Sequence, residues 1–358
     1  MEFGSIVTLI GRLILRAGLW RGLTWIAVKF QVRVNVQGRL TFPFIRRRWR
    51  RNCQILSYHR VNDDEDMFFP AITLEVFERQ MRVLADCFTI CRVGELIERI
   101  KRDDLPENAV AVTFDDGYRD NYTNAFPILK RYSIPATVCL ATDVIGTSRT
   151  LWHDDVFTAF RKTTALELPD IGIGTSVLPL TSIATKLHAQ AEVLTHLWSL
   201  DTALRDMAVE RLRTALNVER RHADTARLML TWEEVAEMSR EGIEFGAHTG
   251  SHPALSKVSL EIAREEIRRS KFSIERILKV PVTTFAYPHG RRGDFTTTTK
   301  ALIKDAGFDC ALTTIFGNNE PGMDLYEMRR IAPWNEDSKT FVARLSYYKF
   351  CEWRTEGL

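Results

Sequence analysis

Ala109-Val110-Ala111-Val112-Thr113-Phe114-Asp115-Asp116-Gly117 is the stretch whose reading decides the fold. Six apolar or β-branched residues in a row, with no polar face, describe a strand buried on both sides, as in a parallel sheet covered by helices. The run ends on two adjacent carboxylates and a glycine turn. Like charges a few ångströms apart raise one another's pKa, so the pair is costly to leave without a cation. A surface turn capping the next helix is the alternative reading of Asp-Asp-Gly by itself.

Working outward, the same texture recurs. Cys53 to Tyr58 reads as a strand ending at His59-Arg60, Ala136 to Ala141 as another, and Glu244 to Ala247 as one that ends at His248. Thr284 to Tyr287 and Cys310 to Thr313 complete the set. Between them lie helical patterns at Leu74 to Leu84, Asn121 to Tyr132, Ser259 to Lys279 and Lys300 to Ala306. Thr231-Trp232-Glu233-Glu234 has the form of a capping box and predicts a helix start. Alternating short strands and helices predict an α/β fold, a distorted (β/α) barrel. Its chemically active residues collect at strand C-terminal ends, where such barrels assemble their sites. The main domain is expected over residues 52–345, with residues 150–230 as a largely helical insertion of no assigned function and 346–358 as a C-terminal tail.

His248-Thr249-Gly250-Ser251-His252-Pro253 follows one of those strands. Two histidines four apart, with a carboxylate from a second strand end and an open position, form a common catalytic metal set. Each motif alone is ambiguous. Together they supply the ligand types of one hydrolytic site.

These residues identify a resemblance. In order along the chain, Thr-Phe-Asp-Asp-Gly (113–117), His-Thr-x-x-His-Pro (248–253) and Phe-Ala-Tyr-Pro-His-Gly (285–290) resemble the polysaccharide deacetylases of the NodB-like group, carbohydrate esterase family 4. Leu56-Ser57-Tyr58-His59-Arg60-Val61 looks like the Tyr-His-x-Val start of many members. The resemblance implies metal-dependent removal of N-acetyl groups from N-acetylhexosamine units of a polysaccharide or a lipid-linked precursor. It assigns Asp116, His248 and His252 to the metal, Zn2+ with Co2+ or Ni2+ as substitutes, and Asp115 to the general base. Tyr287, Pro288, His289 and Arg330 are expected on the substrate side, with the His289 backbone N–H as an oxyanion donor.

Two departures accompany it. The family's later Leu-x-His block, the usual source of the general acid, reads Met328-Arg329-Arg330-Ile331-Ala332-Pro333-Trp334 here. His59 is the expected replacement, with His289 and Asp115 as alternatives. Where many members carry an arginine that orients the base, this chain has Ala286, and Arg329 or Arg330 is expected to substitute. The rival functions are an O-acetyl carbohydrate esterase and a catalytically impaired carbohydrate-binding homologue.

Charge is unevenly spread. The net +3 of the 358 residues divides into +10 over residues 1–51, where eleven Lys and Arg face the single acid Glu2, and −7 over the rest. Arg12, Arg16 and Arg21 interrupt the apolar stretch there before a spanning helix accumulates. Leu9, Ile10, Leu13, Trp20 and Trp25 with the Arg46 to Arg51 run predict an interfacial segment on an anionic membrane surface, a packed terminal extension being the alternative. The expected location is cytoplasmic, peripheral on the inner membrane face. No nucleic acid partner is expected, because no recognition module accompanies the basic run. The six cysteines are too scattered for a disulfide framework, and Cys87 and Cys91 have no second pair at zinc-ligand spacing.

Overall fold

The computed structural model describes residues 52–174, 176–219, 227–333 and 340–345. The expectations for residues 1–51 and 346–358 lie outside the described residues.

Seven parallel strands form the frame. In spatial order they are β1 (Cys53–Tyr58), β3 (Ala109–Phe114), β4 (Thr137–Leu140), β7 (Glu244–Ala247), β8 (Thr284–Ala286), β9 (Cys310–Phe316) and β10 (Met328–Arg330). The ring nearly closes: Ile331, just past β10, bridges Leu56 of β1 in parallel, with Ser57 N–H to Ile331 O at 2.9 Å and Ile331 N–H to Ile55 O at 2.8 Å. A short β2 (Thr89–Ile90) pairs the first half of β3, while β4 pairs its last two residues. Sharing one edge of β3 in this way is a visible distortion of the barrel.

Strand β3 is buried along its whole length because it serves two cores. Val110, Val112 and Phe114 face a layer of helices: α1 (Leu74–Cys87), α3 (Phe126–Arg131), α7 (Trp232–Arg240), α8 (Leu260–Leu278) and α9 (Thr297–Asp305). Ala109 and Ala111 instead pack with Cys53, Ile55, Cys139, Ala286, Cys310 and Leu312. Helix α2 (Val93–Lys101) lies at the N-terminal strand ends, where Val93 N–H donates to Thr137 Oγ1 and Gly94 N–H to the Glu244 carboxylate. The cysteines of this core are free thiols. Burial pushes the Cys310 thiol up to about 12, which keeps it protonated and inert.

Two helix starts follow their sequence signals. Thr231 Oγ1 accepts from Glu234 N–H at 3.2 Å and Glu234 returns an acceptor to Thr231 N–H at 2.9 Å. Ser259 caps α8 in the same sense, by its side chain on Ile262 N–H. Asn121 to Tyr132, expected as one helix, is instead a π turn (Asn121–Ala125) followed by α3, with Pro127 in its first turn. The reason is tertiary: the Asn121 amide donates to His59 O at 2.8 Å and the Asn124 amide to Val61 O at 2.8 Å. The widened turn thereby holds the loop after β1.

The stretch after β4 leaves the ring. Helices α4 (Trp152–Lys162), α5 (Ile183–Ser199) and α6 (Thr202–Ala215), with an antiparallel pair β5 (Glu167–Leu168) and β6 (Leu178–Pro179), enclose their own apolar cluster around Phe160, Val193 and Leu212. Among the described residues no helix is long and apolar enough to cross a membrane.

Candidate metal centre and active site

The strand ends hand the site residues to the C-terminal mouth. The ladder between β1 and β3 extends to Asp115, whose N–H donates to Tyr58 O at 3.1 Å, and that between β4 and β7 extends to His248, whose N–H donates to Leu140 O at 2.8 Å. Asp116 then turns away in a left-handed conformation (φ 75°), followed by Gly117 at φ 86°. A Cβ on Gly117 would sit 2.7 Å from Ile145 and 2.9 Å from Leu140, so the turn also needs glycine for space.

Asp116, His248 and His252 converge, all buried. His248 Nε2 and His252 Nε2 stand 3.4 and 3.3 Å from Asp116 Oδ1, and 3.1 Å from each other. Ligands about 2.0–2.1 Å from a tetrahedral ion lie roughly 3.3 Å apart, so these separations suit one small divalent cation. Asp116 Oδ1 is a buried carboxylate oxygen without a hydrogen-bond partner among the described residues. The His248 Nδ1–H donates to Ala286 O at 2.8 Å, which leaves Nε2 as a lone-pair donor toward the cluster. The donor set therefore fits a metal.

The loop bearing the two histidines is held in a costly shape. Thr249, His252, Asp116 and His289 are four of the ten described non-glycine residues with positive φ, and all four lie at this site. Glu266 of α8 holds the loop: its carboxylate accepts from Gly250 N–H at 2.7 Å, Ser251 N–H at 2.8 Å and Ser251 Oγ at 2.9 Å. Arg269 braces Glu266 at 2.7 Å and Asp143 at 3.0 Å.

Asp115 lies beside the cluster, 1% exposed. Arg330 grips both its oxygens, Nη1 to Oδ1 at 2.9 Å and Nη2 to Oδ2 at 2.7 Å, while Nε donates to Thr313 O at 2.7 Å. Burial alone would raise the Asp115 pKa. The charges of Arg330, His248 and His59 and the hydrogen bonds from Arg330 outweigh it and hold the carboxyl below its ordinary value. Of the two arginines expected to substitute for the one absent at position 286, Arg330 is the one that reaches Asp115. It does not face substrate as expected, because its guanidinium is spent inside the ring. Tyr287 is also withdrawn from the substrate side: its ring stacks on Phe295 and its hydroxyl donates to Tyr326 O at 3.0 Å. Pro288 is buried next to it. His289 stays at the site, its ring 5.0 Å from that of His252 and packed between Trp152 and Trp198, and burial lowers its pKa to about 3.

His59 Nε2 is 4.0 Å from Asp115 Oδ2 with its side chain 37% exposed, so it reaches both Asp115 and solvent. On the other flank stands a residue that sequence reading missed. His153, second residue of α4, places Nε2 4.0 Å from Asp116 Oδ2 and 3.0 Å from the Tyr118 hydroxyl, which donates to Asp154 Oδ1 at 2.9 Å. Burial lowers the His153 pKa to about 4, so the ring is neutral near pH 7, and burial with the nearby Asp116 charge raises Asp154 to about 8. Trp152-His153-Asp154-Asp155 carries no spacing that links it to the other blocks. Only the docking of the insertion brings it here.

A ring of parallel strands with a buried Asp-His-His cluster and a second, arginine-held carboxylate at its C-terminal mouth is an arrangement able to hold a divalent ion beside an ionised carboxylate, as metal-assisted hydrolysis requires. The chain belongs to the polysaccharide deacetylase family, whose profile matches residues 102–311, and whose members are hydrolases of the N-acetyl amide bond of sugars. The Bacillus subtilis protein YxkH, named for polysaccharide deacetylase, is 24% identical over 279 residues, 77% of this chain and 70% of that one. A Staphylococcus epidermidis poly-β-1,6-N-acetyl-D-glucosamine N-deacetylase is 33% identical over 107 residues, which cover 26% of this chain and 37% of that protein. Among solved structures, the Streptococcus pyogenes deacetylase PplD (TM-score 0.56, 20% identity) spans 83% of this chain and 98% of its own. IcaB from Ammonifex degensii (TM-score 0.53, 19% identity) spans 83% and 97%. Both share the fold.

Proposed function

We propose that this chain removes N-acetyl groups from N-acetylhexosamine units of a β-linked polysaccharide or its lipid-linked precursor, using a divalent ion, Zn2+ first, held by Asp116, His248 and His252. The single observation that carries the reading is the buried cluster of those three side chains with Asp115 locked beside it by Arg330. When bound, the ion supplies a Lewis acid for the acetyl carbonyl and acidifies a water.

Asp115, kept ionised and fixed in orientation by Arg330, accepts the proton of the attacking water. The His289 backbone N–H, which donates to no group among the described residues, is available to the oxygen on which negative charge develops. His59 returns a proton to the departing amine from the exposed side of Asp115. His153, Trp152 and Trp198 wall the site with neutral rings. They exclude water from the cluster while leaving the acetyl group an apolar surface.

The preference for β-1,6-linked N-acetylglucosamine rests on the partial likeness to the N-deacetylases of that polymer. The +10 charge of residues 1–51 supports placement on the anionic inner face of the cytoplasmic membrane. The test is acetate release from β-1,6-linked N-acetylglucosamine oligomers. Loss of release with a chelator and with Asp115→Asn is expected; full release by Asp115→Asn overturns the mechanism. Faster release from O-acetylated than from N-acetylated sugars would reassign the enzyme as an esterase.

A further inference from the structure

Trp152 and Ser251, the residues just before His153 and His252, also help line a cavity of about 630 Å³ between the insertion and the barrel loops. That volume falls within the roughly 300–1,000 Å³ usual for small-molecule sites. Trp152 and Arg205, only 7% and 4% exposed, both line the cavity, and the Trp152 Nε1–H and Arg205 Nε–H have no hydrogen-bond partner among the described residues. The guanidinium lies 4.9 Å over the Trp152 ring, and its ion pair with Asp206, at 3.5 Å, is long for a hydrogen bond. A buried N–H left unmatched is costly, so an acceptor is what this wall lacks.

The rest of the wall offers the opposite. Asp155, Asp206 and Glu210 are among four carboxylates that line the cavity, against two guanidiniums. That excess disfavours a phosphate or carboxylate ligand. Hydroxyl groups, which accept and donate at once, match both the unpaired N–H groups and the carboxylates. A pyranose ring carries several at fixed angles. The position fits as well, since the Trp152 ring stands 5.5 Å from His153 and 6.0 Å from His289.

We propose that this cavity is a subsite for the sugar adjoining the one that loses its acetyl group, built by the insertion and recognised through Arg205 and Trp152. The assignment rests on the deacetylase reading above. It makes the chain an enzyme of linked sugars, and gives the insertion its work.

The experiment compares acetate release from N-acetylglucosamine and from its β-1,6-linked oligomers of two to five residues, for the full chain and for Arg205→Met and Met207→Trp. Met207 lines the cavity and is 53% exposed, so a tryptophan there fills the rim without disturbing the core. The wild type is expected to gain at least tenfold in kcat/KM from monosaccharide to oligomer. Both variants should lose that gain, and the monosaccharide rate of Met207→Trp should stay within twofold. Equal gain in wild type and Met207→Trp, or no gain in the wild type, overturns the subsite. Oligomer binding measured by calorimetry separates the two readings: binding that both variants abolish, without acetate release from any substrate, upholds the subsite and overturns the deacetylase. Binding that neither variant weakens overturns the subsite.

Discussion

Arg330 shows how much a single buried contact decides. A hydrogen bond to Oδ1 and a close ion pair with Oδ2 fix the carboxylate of Asp115, and a guanidinium is the side chain that reaches both oxygens at once. A lysine keeps the charge but reaches only one oxygen at a time. Arg330→Lys is therefore expected to lower kcat about 10–100-fold with KM nearly unchanged, since orientation of the base matters only as the water attacks. Steady-state kinetics on oligomers checks the split. Arg330→Ala is a harsher change: it leaves Asp115 buried without its partner and should cost about 3–5 kcal/mol of stability, read as a fall in denaturation midpoint. In the sequence, the two adjacent arginines at 329 and 330 were equivalent candidates. The distinction comes from strand pleat, which turns residue 330 into the ring and leaves Arg329 only partly buried.

At the scale of an element, the loop from His248 to Pro253 owes its shape to α8. Thr249 and His252 sit at φ 64° and 60°, conformations that a side chain resists, and the Glu266 carboxylate holds the loop by three hydrogen bonds. Replacing Glu266 by alanine removes an acceptor from the buried Gly250 N–H and the half-buried Ser251 N–H and releases the strain. The expected result is a 10–100-fold weaker Zn2+ affinity, measured by competition with a chromophoric chelator, as is typical when an outer hydrogen bond to a metal site is lost. An unchanged affinity would show that the histidines are held by packing alone. Sequence periodicity made α8 visible and left Glu266 among its many acids. The π turn at Asn121–Ala125 was hidden for a similar reason: residue types there suit a helix, and the extra residue per turn is imposed by the side-chain bonds of Asn121 and Asn124 to the loop after β1.

On the scale of the whole molecule, the insertion docks its helix α4 over the barrel mouth and buries Asp154 beside Asp116. Asp154 in the folded chain binds its proton up to about pH 8, while the unfolded chain releases it near the ordinary value of 3.8. A raised carboxyl pKa means that the native state holds more protons, so the contribution of Asp154 to stability falls as pH rises through that window. Asp154→Asn keeps an acceptor for Leu151 N–H and cannot ionise. Its thermal midpoint should accordingly decline less between pH 5 and 8 than that of the wild type, by differential scanning calorimetry. A parallel decline in both proteins would place the titration elsewhere.

The sequence by itself determined the strands, their order of chemical blocks and the four side chains that converge at one mouth, Asp115, Asp116, His248 and His252, because these depend on local pattern: apolar runs long enough to be strands, ending on residues whose charges or lone pairs require a partner. Tertiary structure alone decided which arginine serves Asp115, that Tyr287 belongs to the core, and that His153, Trp152 and Trp198 of the insertion stand at the metal centre. Those outcomes depend on how separate segments pack. His153 and Asp116 are 37 positions apart in the chain and 4.0 Å apart in space, and nothing in local spacing encodes that distance.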